Sequence, residues 1–184
     1  MPAFPGDPAS SLTQISSLEQ NGSVGYELKT NLHVGTHLDA PLHFISGGKR
    51  ISDFPPDTFI GRGIVVDINS LNTESIRAGD IVLIHTGWSK KFGQPDYYKN
   101  FPVISESLAQ KLVTTNIKMV GFDSPSPDRS PYLVHKILLS NDILIIENLT
   151  NLSALLPYQH FEIFALPTPL EAEASPVRVV ARLP

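Results

Sequence analysis

The chain has 184 residues, 41% hydrophobic and 17% charged, which fits one globular domain over residues 1–184 and argues against a disordered tail. Fourteen Lys and Arg against eighteen Asp and Glu leave a net charge of −4 without a basic run, so nucleic acid is not an expected partner. Cysteine is absent, which excludes disulfides and thiolate metal sites and leaves His, Asp and Glu as the only metal ligands.

In chain order, the N-terminus lacks the basic-then-apolar shape of a secretory signal, so a cytoplasmic protein is expected. No apolar run reaches the ~18 residues of a membrane span. Tyr26–Leu32 alternates apolar with polar residues and predicts a half-buried strand. The runs at 63–68, 81–84, 119–122, 143–146, 161–165 and 176–180 are strand-length, β-branched or aromatic, and bounded by Gly, Pro, Asn or Asp. Prolines at Phe54-Pro55-Pro56 and Ser124-Pro125-Ser126-Pro127 mark turns. Ser107 and Gln110 fit a capping box that opens a helix to Thr115, with Leu108, Leu112 and Val113 inward. Ser130-Pro131 fits an N-cap and first-turn proline for a second helix that buries Leu133, Ile137 and Leu138. A short turn is expected over Thr150–Leu156. Strands outnumber helices, which predicts a β-rich α/β domain with mixed sheets and a few outer helices.

Three of the six histidines fall between residues 33 and 43, in the order His33, His37, Asp39, His43. This H-x3-H-x-D-x3-H pattern puts all four on one face of an extended strand, but its ends would lie ~33 Å apart. On a helix the four would scatter, and Pro41 would break it. Only a bent chain converges them, and Gly35 and Ala40-Pro41 stand where bends are easiest. Converged, they suit a borderline divalent ion. The competing reading, unrelated histidines close by chance, is disfavoured by their density and by the intervening Asp. His135 on the second helix and Glu147 after four aliphatic residues are further candidates. A carboxylate there is costly to bury unless paired or metal-bound, although Glu147 would equally suit a strand end emerging into solvent. From the residues alone both roles stay open.

Beyond these features, the segments His33–Phe44, Gly121-Phe122-Asp123-Ser124-Pro125-Ser126-Pro127-Asp128, and His135-x11-Glu147-Asn148-Leu149 resemble the metal-dependent putative cyclase family, which includes the bacterial kynurenine formamidases. Phe4-Pro5-Gly6-Asp7-Pro8, Thr86-Gly87-Trp88, Tyr98-Lys99-Asn100-Phe101-Pro102 and Ser175-Pro176-Val177-Arg178 support the resemblance in order along the chain. It implies a swivelling β/β/α fold and an amide hydrolase with one or two divalent ions, Zn or Mn. It implies His33, His37 and Asp39 as metal ligands, His135 and Glu147 as ligands of a second ion, and Asp39 and Glu147 able to touch both. His43 matches the general acid/base, which is not itself a ligand.

The expected reaction is attack of metal-activated hydroxide on a formamide carbonyl, with N-formylkynurenine giving kynurenine and formate. Two alternatives are a hydrolase of small lactams such as isatin and a non-catalytic metal-stabilised binding domain. The partners implied are a small amide substrate and a second copy of the chain, in a homodimer or larger assembly. Trp88 would suit an aromatic wall but reads first as core. His85 and His160 have no matching role and read as structural.

Overall fold

The structure, a computed structural model, describes residues 4–70 and 73–184. Strands β1 (Ser11–Ser16) and β2 (Gly25–Lys29) flank a one-turn helix, α1 (Leu18–Asn21), and pair as an antiparallel ribbon. Eight further strands form one mixed sheet: β3 (His37–Asp39), β4 (Ile60–Asp67), β5 (Ile81–His85), β6 (Met119–Phe122), β7 (Leu144–Glu147), β8 (Phe161–Phe164), β9 (Ala174–Pro176) and β10 (Val180–Arg182). Their order is β10-β8-β4-β5-β6-β7-β3-β9. The central four, β4 to β7, run parallel, and the flanking strands pair antiparallel. The fold class is therefore α/β with a mixed sheet, as the sequence predicts. Among the described residues no helix is long and apolar enough to cross a membrane.

Parallel strands covered on both faces read as near-continuous apolar runs, because successive residues bury on opposite sides. In β5, Val82 and Ile84 pack towards helices α2 (Glu106–Thr115) and α3 (Leu133–Leu139), beside Leu108, Leu112, Leu138 and Leu139. Ile81 and Leu83 pack on the opposite face with Leu38, Phe59, Leu149 and Phe161. The alternation decides where the polar residues go. Ile145 of β7 belongs to the helix-facing core, so Glu147, two residues on, points the same way. Antiparallel register sets His37 opposite Glu147 and Asp39 opposite Ile145, so His37 and Asp39 also face α3 while Leu38 joins the opposite core.

Several local expectations shift. The ribbon strand ends at Lys29, and four of the five β2 residues are exposed; its partner β1 carries too few apolar residues to read as a strand. Helix α2 opens two residues earlier than the capping box implies, with Ser105 Oγ accepting from the Leu108 N–H at 3.2 Å. Helix α3 is not capped by Ser130. The Asp128 carboxylate accepts from the Val134 and His135 N–H groups at 2.7 and 3.2 Å. That later start buries Val134, Leu138 and Leu139 and leaves Leu133 exposed. The 176–180 run divides between the end of β9 and the start of β10, with Val177 bridged to Pro167. The 150–156 turn forms as a 3-10 turn at Leu152–Leu155.

Candidate metal centre

The bends foreseen in the histidine segment are present. Gly35 adopts φ 70°, a left-handed turn that glycine makes without a Cβ penalty. Strand β3 then holds His37 and Asp39 on one face. Ala40 is extended, and the 3-10 turn Pro41–His43 folds the chain back. As a result the His33 and His43 rings lie 4.3 Å apart and the His33 and His37 rings 5.1 Å apart, centroid to centroid. Helix α3 contributes His135, whose ring lies 6.0 Å from His43. Glu147 is buried, not solvent-facing.

At the centre, Asp39 Oδ1 is 3.0 Å from His33 Nδ1 and 3.5 Å from His37 Nε2. The Glu147 oxygens each lie 3.3 Å from one imidazole, His37 Nε2 or His135 Nε2. His33 Nε2 also lies 3.4 Å from Glu173. The far nitrogens are tied down: His37 Nδ1 donates to the Gly35 carbonyl at 2.8 Å, and His135 Nδ1 donates to Asp128 at 2.6 Å. With Nδ1 engaged in this way, each ring turns Nε2 inwards. An imidazole oriented by a carboxylate or carbonyl through its other nitrogen is the usual state of a metal-binding histidine.

Four inward atoms, His37 Nε2, both Asp39 oxygens and Glu147 Oε1, are buried without a hydrogen-bond partner. Buried polar atoms are nearly always satisfied, so such a convergence needs an explanation. A divalent cation supplies one, and the nitrogen and oxygen donors suit it. Two overlapping donor sets have atoms within 4.8 Å of one another: His33, His37 and Asp39, and Asp39, His43 and His135. Asp39 is common to both. His43, expected to stay off the metal, thus stands within reach of the second set.

Electrostatics follow the same geometry. Burial pushes the His37 imidazole down, but Asp39 and Glu147 outweigh it and raise it to about 9. Burial likewise opposes His135, yet Asp128 and Glu147 raise it to about 10. Burial disfavours the Asp39 and Glu147 carboxylates, and the surrounding imidazoles nevertheless hold both below the usual range. His43 goes the other way: burial lowers it, and the His33 and His135 charges add to that against the pull of Asp39. His43 is thus the imidazole of the cluster whose surroundings favour the neutral form.

The centre opens into a cavity of about 260 Å³, walled by Phe4, Phe44, Tyr98, Tyr132, His43 and Ser126. Trp88 is not among its lining residues; its indole N–H donates to the Tyr97 carbonyl at 2.8 Å. The Thr86-Gly87 and Phe122-Asp123 motifs meet as a structural clamp. Asp123 accepts from the Thr86 and Gly87 N–H groups and the Thr86 hydroxyl at 2.6–2.9 Å. His85 sits 3.1 Å from Asp67 and His160 is exposed, both outside the cavity. Sequence reasoning assigned no role to Asp128 or Glu173. Asp128 stands seven residues before His135 in a proline-punctuated loop, a position that no local pattern marks as a helix cap and histidine anchor.

The sequence profile of the putative cyclase family matches residues 1–129. A kynurenine formamidase of Geobacillus thermodenitrificans is 33% identical, over 99% of this chain and 91% of its own. A solved structure described as a potential metal-dependent hydrolase with cyclase activity superposes with a TM-score of 0.79 at 26% identity, covering 100% of this chain and 93% of its own. Isatin hydrolase A of Labrenzia aggregata shares the fold, with a TM-score of 0.85 at 24% identity over 98% and 87% of the two chains. With a profile match over most of its length and a relative aligned nearly end to end, this chain belongs to the putative cyclase family of metal-dependent hydrolases.

Proposed function

We propose that this protein hydrolyses the carbon–nitrogen bond of aryl formamides, with N-formylkynurenine as the leading substrate and kynurenine and formate as products. The observation that carries the reading is the set of unpartnered atoms of His37, Asp39 and Glu147 beside an aromatic-walled cavity that His37 and Glu147 line. Similarity to the kynurenine formamidases supports the substrate class. His33, His37 and Asp39 would hold one divalent ion, Zn or Mn, and His135 and Glu147 a second, with Asp39 and Glu147 available to either. Such an ion supplies Lewis acidity that lowers the pKa of water towards ~7 and polarises a carbonyl.

The chain's own residues do the rest. Phe4, Phe44, Tyr98 and Tyr132 stack against the aryl ring and exclude water around it. His43, neutral at pH 7, takes the proton of the attacking water on an imidazole nitrogen. It returns that proton to the departing nitrogen as the carbon–nitrogen bond breaks, giving a free amine and formic acid, which releases water's second proton to solvent as formate. We propose as well that the protein works in the cytoplasm as a homodimer or larger homo-oligomer.

The test is turnover of N-formylkynurenine, other aryl formamides and isatin by protein stripped with a chelator and then reloaded. Stripping should abolish formamide hydrolysis, and Zn or Mn should restore it. Full activity without metal would overturn the mechanism. Isatin opening without formamide cleavage would move the substrate to the lactams, and a metal-loaded protein inert to both would leave a binding domain.

A further inference from the structure

Strand β7 ends at Glu147, and the next residue turns out of the sheet. Asn148 takes φ 56°, a left-handed backbone that asparagine adopts more readily than most side chains. Its main chain is tied on both sides: the N–H donates to the Ser124 carbonyl at 3.0 Å, and the carbonyl accepts from the Thr36 hydroxyl at 2.7 Å. Its side chain is tied by one end only. Oδ1 accepts from the Tyr97 hydroxyl at 2.8 Å, and Nδ2 has no partner among the described residues. Asn148 is half-buried and lines the cavity beside the metal centre.

Tyr97 decides which end of that amide is left over. It is fully buried, its ring packs edge-on against Phe92 and Tyr98 with centroids 5.3 and 5.0 Å away, and its carbonyl accepts from the Trp88 indole. Burial holds the phenol well above its ordinary range, so it keeps its proton and donates. An amide that accepts at Oδ1 presents its N–H groups on the other side of the amide carbon. Tyr97 lines a smaller cavity of about 200 Å³ with Phe92 and Leu149 and is not among the residues lining the larger one, whereas Asn148 lines both. The oxygen end therefore faces Tyr97, and the N–H donors are left to the cavity beside the metal centre.

The surroundings of those donors select what they hold. Among the described residues no Lys or Arg lines the cavity, so an anionic group would meet no countercharge there. A carbonyl oxygen is the neutral match for a neutral donor. The scissile carbonyl is the one that a bound cation polarises, which leaves a second carbonyl for Asn148. We propose that the Asn148 amide is a specificity-determining donor to a second carbonyl oxygen, carried on the aryl ring beside the scissile nitrogen, and that Tyr97 positions it. The inference rests on the proposed hydrolysis of aryl amides and narrows their class. An ortho-acyl formanilide and a keto-lactam fused to an aryl ring both carry such an oxygen, and plain formanilide does not. Aromatic walls accept all three alike, so a fixed polar group is what separates them.

The experiment compares ortho-formamidoacetophenone with its para isomer, whose ketone points away from Asn148, on the metal-loaded protein. The wild type should favour the ortho isomer in kcat/KM by about tenfold, the worth of one neutral hydrogen bond. Asn148→Gly, which fits the left-handed backbone, should abolish the preference by raising KM for the ortho isomer and not by lowering kcat. Asn148→Asp, which still accepts from Tyr97 but cannot donate, should lose the preference as well. Tyr97→Phe should lose part of it, and should cost nothing further when added to Asn148→Gly. Metal analysis and circular dichroism check that each variant keeps its site and fold. Calorimetric binding of ortho- and para-aminoacetophenone should show the same preference, and the same losses, without turnover. A protein inert to both formamides that still binds the ortho amine selectively would uphold the donor and overturn the formamide reading. A wild type that does not discriminate, Asn148 variants that keep the preference, or a full Tyr97→Phe effect in the Asn148→Gly background would each overturn the proposal.

Discussion

His43 and His135 look alike in the sequence and stand in opposite electrostatic states. His135 is held by Asp128 on one nitrogen and faces Glu147 with the other, so it favours a proton or a cation. His43 has no such carboxylate clamp and lies among other imidazoles. Replacing His43 with Ala should keep bound metal within error and lower the rate by about 10²–10⁴-fold, as read by metal analysis beside kinetics. Loss of metal in step with activity would make His43 a ligand of the set that also contains Asp39 and His135. By contrast, Glu147→Gln should lower metal stoichiometry as well as rate. Asp128→Asn leaves every candidate donor in place but removes the charge that orients His135, so metal affinity should fall about 10–100-fold in a chelator competition.

At the scale of elements, the start of α2 depends on one hydroxyl. The capping pattern singles out Ser107, whereas the hydrogen bond to the helix comes from Ser105. Ser105→Ala should cost about 1 kcal/mol in urea denaturation, and Ser107→Ala no more than a few tenths, typical of an exposed helical position. Equal losses would mean that the cap is shared through the 2.8 Å contact between the two hydroxyls. Strand β3 makes a similar point about length. Three residues are too few for an alternating pattern to register, yet β7 and β9 hold them on both sides. The sheet thus supplies the rigidity that positions His37 and Asp39.

For the whole molecule, the buried His and carboxylate cluster couples stability to pH. In the metal-free protein His37 titrates at about 9 and His135 at about 10, against ~6.5 in an unfolded chain. The folded state therefore holds extra protons between these values. Their stabilisation is fully present below ~6.5 and disappears as pH rises through about 9 and 10. Thermal melts in chelator should fall in midpoint between pH 6.5 and pH 10.5. Saturating divalent cation displaces the same protons, so metal affinity should rise across that window and flatten the fall. A metal-free protein equally stable at both ends would show that the carboxylates do not hold these imidazoles protonated.

The sequence by itself determined the fold class, because apolar runs buried on both faces and punctuated by Gly and Pro leave few alternatives to a covered, partly parallel sheet. It also determined that His33, His37, Asp39 and His43 could meet, because only a chain bent at Gly35 and Pro41 brings them together. The rest belonged to the tertiary structure. Whether Glu147 faced solvent or the interior turned on the β3–β7 register, a pairing of segments more than a hundred residues apart. Asp128 as anchor of His135, Glu173 beside His33, and the walls built from Phe4, Phe44, Tyr98 and Tyr132 arise from the same kind of long-range convergence. Local sequence encodes which face a side chain takes along its own element; what stands opposite that face is decided only when the sheet and its helices close together.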